Sequence, residues 1–436
     1  MFLISYNSVR IRSFVLDITL ATNTNTLNSM KERGASMIPK KYWLITIVVI
    51  MTAILFPETL LAQQPPNVKS ETAILIDGKT GQVLFEKNSQ KEMYPASITK
   101  IVTALMAVES EKMNDSTEVS KKAREVDGTR VYLEEGEMVP LAQLVKGMLV
   151  NSGNDAAIAI AEQLSGSVDS FADDMNTFVK EEVGVENSHF TNPHGLFNEQ
   201  HVTTAEDMAK ITQYAMKNQQ FKSIFGVKEL EWSGEDWNTT LINHHRLLLD
   251  YDFVTGGKNG FVSKSGFTLV TTATKENQEL IAVTMKATDD QIAYQDTLTL
   301  LNYGFDTFSP VVYEKGTELA ERDGKEYFLA EDITLFQQDN QAVELSVNDS
   351  GRLESDTGSI KSALDSELLS SSNSESSTTK DQSKVVSASK EKEKDTFSIS
   401  SKLIFYIGIS IFTVIIIALF MGRTKPTKRR SRTFPY

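Results

Sequence analysis

Apolar and polar positions along this chain fall into segments of different period, and the period names the element. Ala73-Ile74-Leu75-Ile76 and Gln82-Val83-Leu84-Phe85 flank Asp77-Gly78-Lys79-Thr80-Gly81, a pattern that predicts two strands joined by a turn. Ile101 to Met106 is a continuous apolar run of the kind a buried helix carries. Met148 to Ala157 holds a short polar interruption, Ser152-Gly153-Asn154, between two apolar helical runs, which predicts a tight loop joining two helices. Phe267 to Ala273 alternates as a strand does, Lys275-Glu276-Asn277-Gln278 supplies a turn, and Leu280 to Met285 predicts a second strand. A helix is expected near Gln291 to Tyr303, placed to pack back on the sheet. The expected architecture is an α+β fold over residues 67–305, an antiparallel sheet with helices on its faces, long enough for one large core.

Beyond that stretch the pattern changes twice. Val311 to Tyr313, Glu326 to Leu329, Ile333 to Phe336 and Ala342 to Leu345 are short strand candidates between charged turns, and they predict a small β-rich module over 306–348. Residues 349–397 are rich in Ser, Lys, Glu and Asp and poor in aromatics. Such a composition buries too little apolar surface to fold, so a disordered Ser-rich stalk is expected.

Both ends carry long apolar runs. Tyr42 to Leu61 follows Lys31, Arg33, Lys40 and Lys41 and precedes Ala62-Gln63-Gln64-Pro65-Pro66, the order of a secretory signal peptide. Residues 1–41 form an N-terminal extension and basic flank, 42–62 the apolar region, and Met30 and Met37 are alternative starts. Leu403 to Gly422 holds no charge and is long enough to span a bilayer as a C-terminal transmembrane helix. The basic tail 423–436, with Arg423, Lys425, Lys428, Arg429, Arg430 and Arg432, would stay in the cytoplasm and leave the folded region outside, anchored to the cell membrane. With 0 cysteines, neither disulfides nor thiolate chemistry is open to the chain. A net charge of −14 argues against nucleic acid as a partner. The 5 histidines show no metal-ligand spacing, and no cofactor is expected.

The chemistry concentrates in three places. Ser97-Ile98-Thr99-Lys100 sets a hydroxyl and an amine three residues apart at the start of a buried helix, where they share a face. A serine needs a base to become a nucleophile, and apolar burial lowers a lysine pKa enough for it to serve. Ser152 and Asn154 offer a second hydroxyl and an amide in a tight loop. Gly256-Gly257-Lys258-Asn259-Gly260-Phe261 opens a strand with glycines that let a ligand approach the backbone. Read singly, these are also a helix start, a polar turn and a glycine-rich loop.

Together and in this order they resemble the signature of the serine D-alanyl-D-alanine carboxypeptidases, the low-molecular-mass penicillin-binding proteins of the peptidase S11 type. Thr72 to Asn88, Thr191 to Leu196 and Asn243 to Leu248 add to the resemblance. It implies the fold shared by β-lactamases and DD-peptidases, and a substrate, the peptidoglycan stem pentapeptide, whose terminal D-alanine is removed through an acyl-enzyme. It implies Ser97 as nucleophile, Lys100 as its base, Ser152 as proton shuttle toward the leaving amine, and Asn154 on a substrate carbonyl. It further implies Lys258 and Asn259 on the terminal carboxylate, along the Gly260-Phe261 edge, with the Ser97 and Phe261 N–H groups as oxyanion hole. β-Lactams would acylate Ser97 as inhibitors. Asn259 stands where the family usually has threonine, which implies altered substrate or β-lactam preference. Lys79-Thr80-Gly81 spells the family's third motif literally but precedes the serine, so it is expected to be a structural turn. Class A-like β-lactamases and a catalytically impaired, wall-binding relative are the alternatives.

Overall fold

The computed structural model describes residues 65–322, 325–338, 342–356, 361–364, 368–373 and 386–387. The apolar segments at 42–61 and 403–422 lie outside the described residues, as do the basic flanks. Among the described residues no helix is long and apolar enough to cross a membrane.

β1 (Thr72–Asp77) and β2 (Val83–Lys87) form the expected hairpin. Helices and two small two-stranded sheets follow: α1 (Lys100–Glu109), β3 (Ser116–Glu118), α2 (Lys121–Arg124), β4 (Met138–Pro140), α3 (Leu141–Val150), α4 (Asn154–Ser165), α5 (Val168–Phe178), α6 (Ala205–Lys217), α7 (Gln219–Phe225), β5 (Glu229–Ser233), β6 (Asn238–Ile242) and α8 (Arg246–Asp250). β7 (Val254–Val262), β8 (Gly266–Lys275), β9 (Gln278–Ala287) and α9 (Asp290–Thr307) close the domain. The main sheet has the order β2-β1-β9-β8-β7, antiparallel throughout, so β7 is an edge strand.

Strand periodicity explains the layers. Ile74 and Ile76 of β1 and Ile281 and Val283 of β9 face the helices α1 to α7 and join the larger core. The alternate positions Ala73, Leu75, Leu280 and Ala282 face the other way, onto Leu300, Leu301 and Tyr303 of α9. A central strand covered on both faces loses its polar alternation, and every residue of β1 is buried. Capping is local: Asn218 accepts from the amides of Gln220 and Phe221, and Asp289 from that of Ile292. α9 extends to Thr307, a turn past the expected end.

The Asp77–Gly81 turn holds itself together. The Asp77 carboxylate accepts from Lys79 N (3.2 Å), Thr80 N (2.8 Å) and Thr80 Oγ1 (2.8 Å), and Gly81 takes φ +78°. The literal Lys-Thr-Gly is thus spent on a hairpin.

The β-rich module begins at Phe308–Tyr313, which pairs with Ile333–Gln338, and its own core includes Leu319, Leu329, Leu335 and Leu345. Gln82 fastens it to the larger domain, donating from Nε2 to Phe336 O and accepting at Oε1 from Phe336 N, both 2.8 Å. The module does not stop at 348: strands run on into the stretch expected to be a disordered stalk, whose residues 374–385 and 388–397 lie outside the described residues. Leu353–Asp356, Lys361–Ala363 and Leu369–Asn373 are strands. Leu353, Leu364 and Leu368 are buried in the module's core. A polar segment orders when a few well-spaced leucines complete a core that earlier strands have already built, a context that average composition does not register.

Candidate active site

The nucleophile candidate sits in a short 3₁₀ turn, Ala96–Thr99, that leads into α1. In a 3₁₀ turn side chains three apart eclipse each other. Lys100 Nζ accordingly lies 3.0 Å from Ser97 Oγ. The amine also donates to Asn154 Oδ1 (2.7 Å) and to the backbone carbonyl of His194 (2.8 Å). Its three donor directions therefore fix it among three elements. Lys100 is fully buried, and burial, with the charge of Lys258 adding to it and Asp155 opposing it, pushes its pKa well below the usual lysine value.

The backbone around Ser97 is tightly constrained. Ala96 takes φ +52° beside it, a region L residues rarely occupy. Gly195 (φ +87°) approaches so closely that an added Cβ would lie 1.8 Å from Ala96 O. On the other side, a Cβ on Gly260 would lie 2.6 Å from Ser97 N, so edge strand β7 abuts the amide of Ser97. Thr268 Oγ1 of β8 donates to Pro95 O at 2.8 Å and fixes the same turn to the sheet. Thr103 Oγ1 of α1 donates to Pro193 O at 2.7 Å, holding the loop that carries Gly195.

Ser152 lies in the loop between α3 and α4, nearly buried and at φ +62°. Asn154 opens α4 and is clamped by its neighbours. Its Nδ2 donates to Asp127 O (2.6 Å), and its backbone N to Thr129 O (2.7 Å). Asp155 holds the adjoining segment, its carboxylate accepting from the amides of Val131, Leu133 and Ala156. Lys258 is buried on β7, its Nζ donating to Asn259 O at 2.9 Å, and burial lowers its pKa to about 7. Asn259 is half-buried, and the Phe261 side chain is 54% exposed at the rim.

The fold therefore gathers Ser97, Lys100 and Asn154 by direct contact and lays Gly260 against Ser97. Residues at the site that motif reading does not single out act through backbone: the His194 carbonyl, the Asp127 carbonyl, and Gly195, whose one signal was the Thr191–Leu196 resemblance. The histidines have structural roles. His201 accepts at Nδ1 from Thr191 N (2.9 Å) and bonds Thr99 Oγ1 through Nε2, while His245 caps α8 and bonds Thr271 Oγ1. Burial lowers the pKa of His194, His201 and His245 to about 3, so all three are neutral at pH 7. Among the described residues no His, Asp and Glu cluster could hold a metal ion.

A half-buried serine on a buried lysine beside an edge strand, on an antiparallel sheet flanked by helices, defines the class of penicillin-binding DD-peptidases. Residues 59–289 match the D-alanyl-D-alanine carboxypeptidase family, peptidase S11, and the chain belongs to that family. It is 32% identical to D-alanyl-D-alanine carboxypeptidase DacF of Bacillus subtilis over 66% of this chain and 78% of that one. Among solved structures it is similar to penicillin-binding protein 5 of Haemophilus influenzae (TM-score 0.61, 26% identity, 72% of this chain and 99% of that one). Penicillin-binding protein 6B of Escherichia coli is also similar (TM-score 0.58, 25% identity, 71% and 98%).

Proposed function

We propose that this D-alanyl-D-alanine carboxypeptidase works by serine acyl transfer at Ser97. The observation that carries the reading is the 3.0 Å contact between Ser97 Oγ and a fully buried Lys100 amine. Burial favours the neutral lysine, which can take the hydroxyl proton as Oγ attacks the carbonyl between the last two D-alanines. The amide C–N bond breaks, and the departing amine receives its proton by way of Ser152. Water then cleaves the Ser97 ester, releasing the shortened peptide and restoring the hydroxyl. Asn154 holds a substrate carbonyl. The Lys258 ammonium, with Asn259, attracts the terminal carboxylate. The backbone N–H groups of Ser97 and Phe261 face the developing oxyanion, a placement supported by the close approach of Gly260 to Ser97 N. A β-lactam enters the same route and stalls as the acyl-enzyme.

The site would work outside the membrane, with Leu403 to Gly422 as anchor, the arrangement supported by the apolar runs and basic flanks of the sequence. Deleting 403–436 is expected to move the protein from the membrane fraction to the medium.

The test is D-alanine release from a pentapeptide ending in D-Ala-D-Ala, with labelled penicillin as a second readout. Wild type releases D-alanine and takes the label, and Ser97→Ala does neither while keeping its circular dichroism spectrum. Release that persists in Ser97→Ala refutes the assignment.

A further inference from the structure

A cavity of about 200 Å³ opens beside β7, on the stretch of strand that abuts the nucleophile. Asn259 and Phe261 form its mouth, and Phe267, Leu269, Ala293 and Tyr294 form its floor and wall. Leu269 and Ala293 belong to a small apolar cluster separate from the two large cores, with Phe267 and Tyr294 packed against it.

The remaining wall, from His244, Arg246, Thr268 and Asp290, is polar, and its two opposite charges are paired. Arg246 binds Asp290 at 3.1 Å, and its guanidinium lies 4.2 Å from the centre of the Tyr294 ring. The Tyr294 hydroxyl accepts from Arg246 N (3.3 Å) and donates to His244 O (3.0 Å). The two charges answer each other, so the space between them and the floor takes an apolar group rather than an ion. A cavity of this size is smaller than a pocket for a whole small molecule, which begins at roughly 300 Å³, and suits one side chain.

We propose that this cavity is the subsite for the side chain of the leaving D-residue, and that the enzyme releases terminal D-residues with medium-sized apolar side chains at least as well as D-alanine. The inference rests on the carboxypeptidase reading of the same site. The leaving residue lies immediately past the scissile carbonyl along β7, and Asn259 and Gly260 both border the cavity and adjoin Ser97 or Lys258. Its side chain therefore has the cavity beside it. A D-alanine methyl leaves most of that space unfilled, whereas D-leucine or D-methionine reaches Leu269 and Ala293. The chemistry is unchanged: the same C–N bond breaks, the ester forms at Ser97, and water completes the hydrolysis.

The experiment compares kcat/KM for peptides ending in D-Ala-D-Ala, D-Ala-D-Met and D-Ala-D-Leu, using the full chain. One well-buried methylene is worth about 10–200-fold in such a pocket. Equal or higher kcat/KM for D-Leu and D-Met is expected, with a gain of about tenfold where the floor is reached. Ala293→Leu, which fills the floor, is expected to lower the ratio of D-leucine to D-alanine kcat/KM about tenfold. Slower release of D-leucine than of D-alanine by wild type overturns the subsite, and this arm stands even if Ala293→Leu does not fold. A folded Ala293→Leu that slows both substrates alike also overturns it. Release of none of the three overturns the carboxypeptidase reading itself, a distinct result.

Discussion

At the scale of single residues, two lysines with opposite requirements share one site. In the proposed mechanism Lys100 acts as a base only when neutral, and Lys258 attracts a carboxylate only when charged. Burial lowers both pKa values, that of Lys258 to about 7. The kcat/KM profile is therefore expected to be bell-shaped, with the acid limb from Lys100 and the alkaline limb near pH 7 from loss of the Lys258 charge. Above the alkaline limb KM rises about tenfold per pH unit, the ordinary slope for loss of one proton. Lys258→Arg keeps its charge at all these pH values and should flatten that limb. Steady-state kinetics between pH 5 and 9 reads both, and an alkaline limb that survives Lys258→Arg assigns it elsewhere.

Buried histidines make a separate statement about stability. His245 has its pKa lowered to about 3 by burial, so between about pH 6.5 and 3 the unfolded chain binds a proton there that the folded chain does not. Its contribution is present above the unfolded value and is lost as pH falls through that window. His245→Asn should reduce the slope of unfolding free energy against pH by about one proton across that range. Urea titrations at several pH values measure it, and an unchanged slope would show that His245 is protonated in the native state.

At the scale of elements, the site depends on how closely four segments approach: the 3₁₀ turn before α1, the loop before α4, the Thr191–Leu196 loop and edge strand β7. Gly195 is the tightest point. Gly195→Ala combines an unfavourable φ with a Cβ placed on Ala96 O, so either the loop or the nucleophile's turn must move. A displacement near 1 Å at a reacting group costs about 100-fold in rate. D-alanine release is expected to fall by about that factor or more while the spectrum of the folded domain persists. Wild-type kcat/KM in Gly195→Ala would mean that the turn tolerates the shift.

At the scale of the whole molecule, the β module has a core of its own and is joined to the catalytic domain by the Gln82 contact to Phe336 and by the burial of the Phe336 side chain in that domain's smaller core. Leu353 is fully buried in the module's core, within a stretch whose composition reads as stalk. Leu353→Ala should destabilise the module by about 2–5 kcal/mol, the range for a buried leucine. Release of D-alanine from a soluble peptide should be unchanged. Limited proteolysis reads the first and steady-state assay the second. A module as protease-resistant as wild type would place Leu353 outside its core.

The sequence alone determined the main elements of the larger domain and the chemistry they carry. Hairpin, helices and closing strands follow from period, because strands and helices return a side chain to one face every 2 or 3.6 residues. Ser97 and Lys100 were legible as a pair because three residues separate them. Their link to Asn154 and the Gly256–Phe261 strand was legible only through family resemblance, since no local rule brings together residues so far apart in the chain. Tertiary structure alone decided which backbone atoms complete the site. The His194 and Asp127 carbonyls exist at every position whatever the side chain, so they leave no mark in the sequence. It also decided the burial that lowers the two lysine pKa values, the cavity beside Asn259, and the order of the segment after Val347. Each depends on atoms packed together from distant segments, a property of the folded surface rather than of any window of residues.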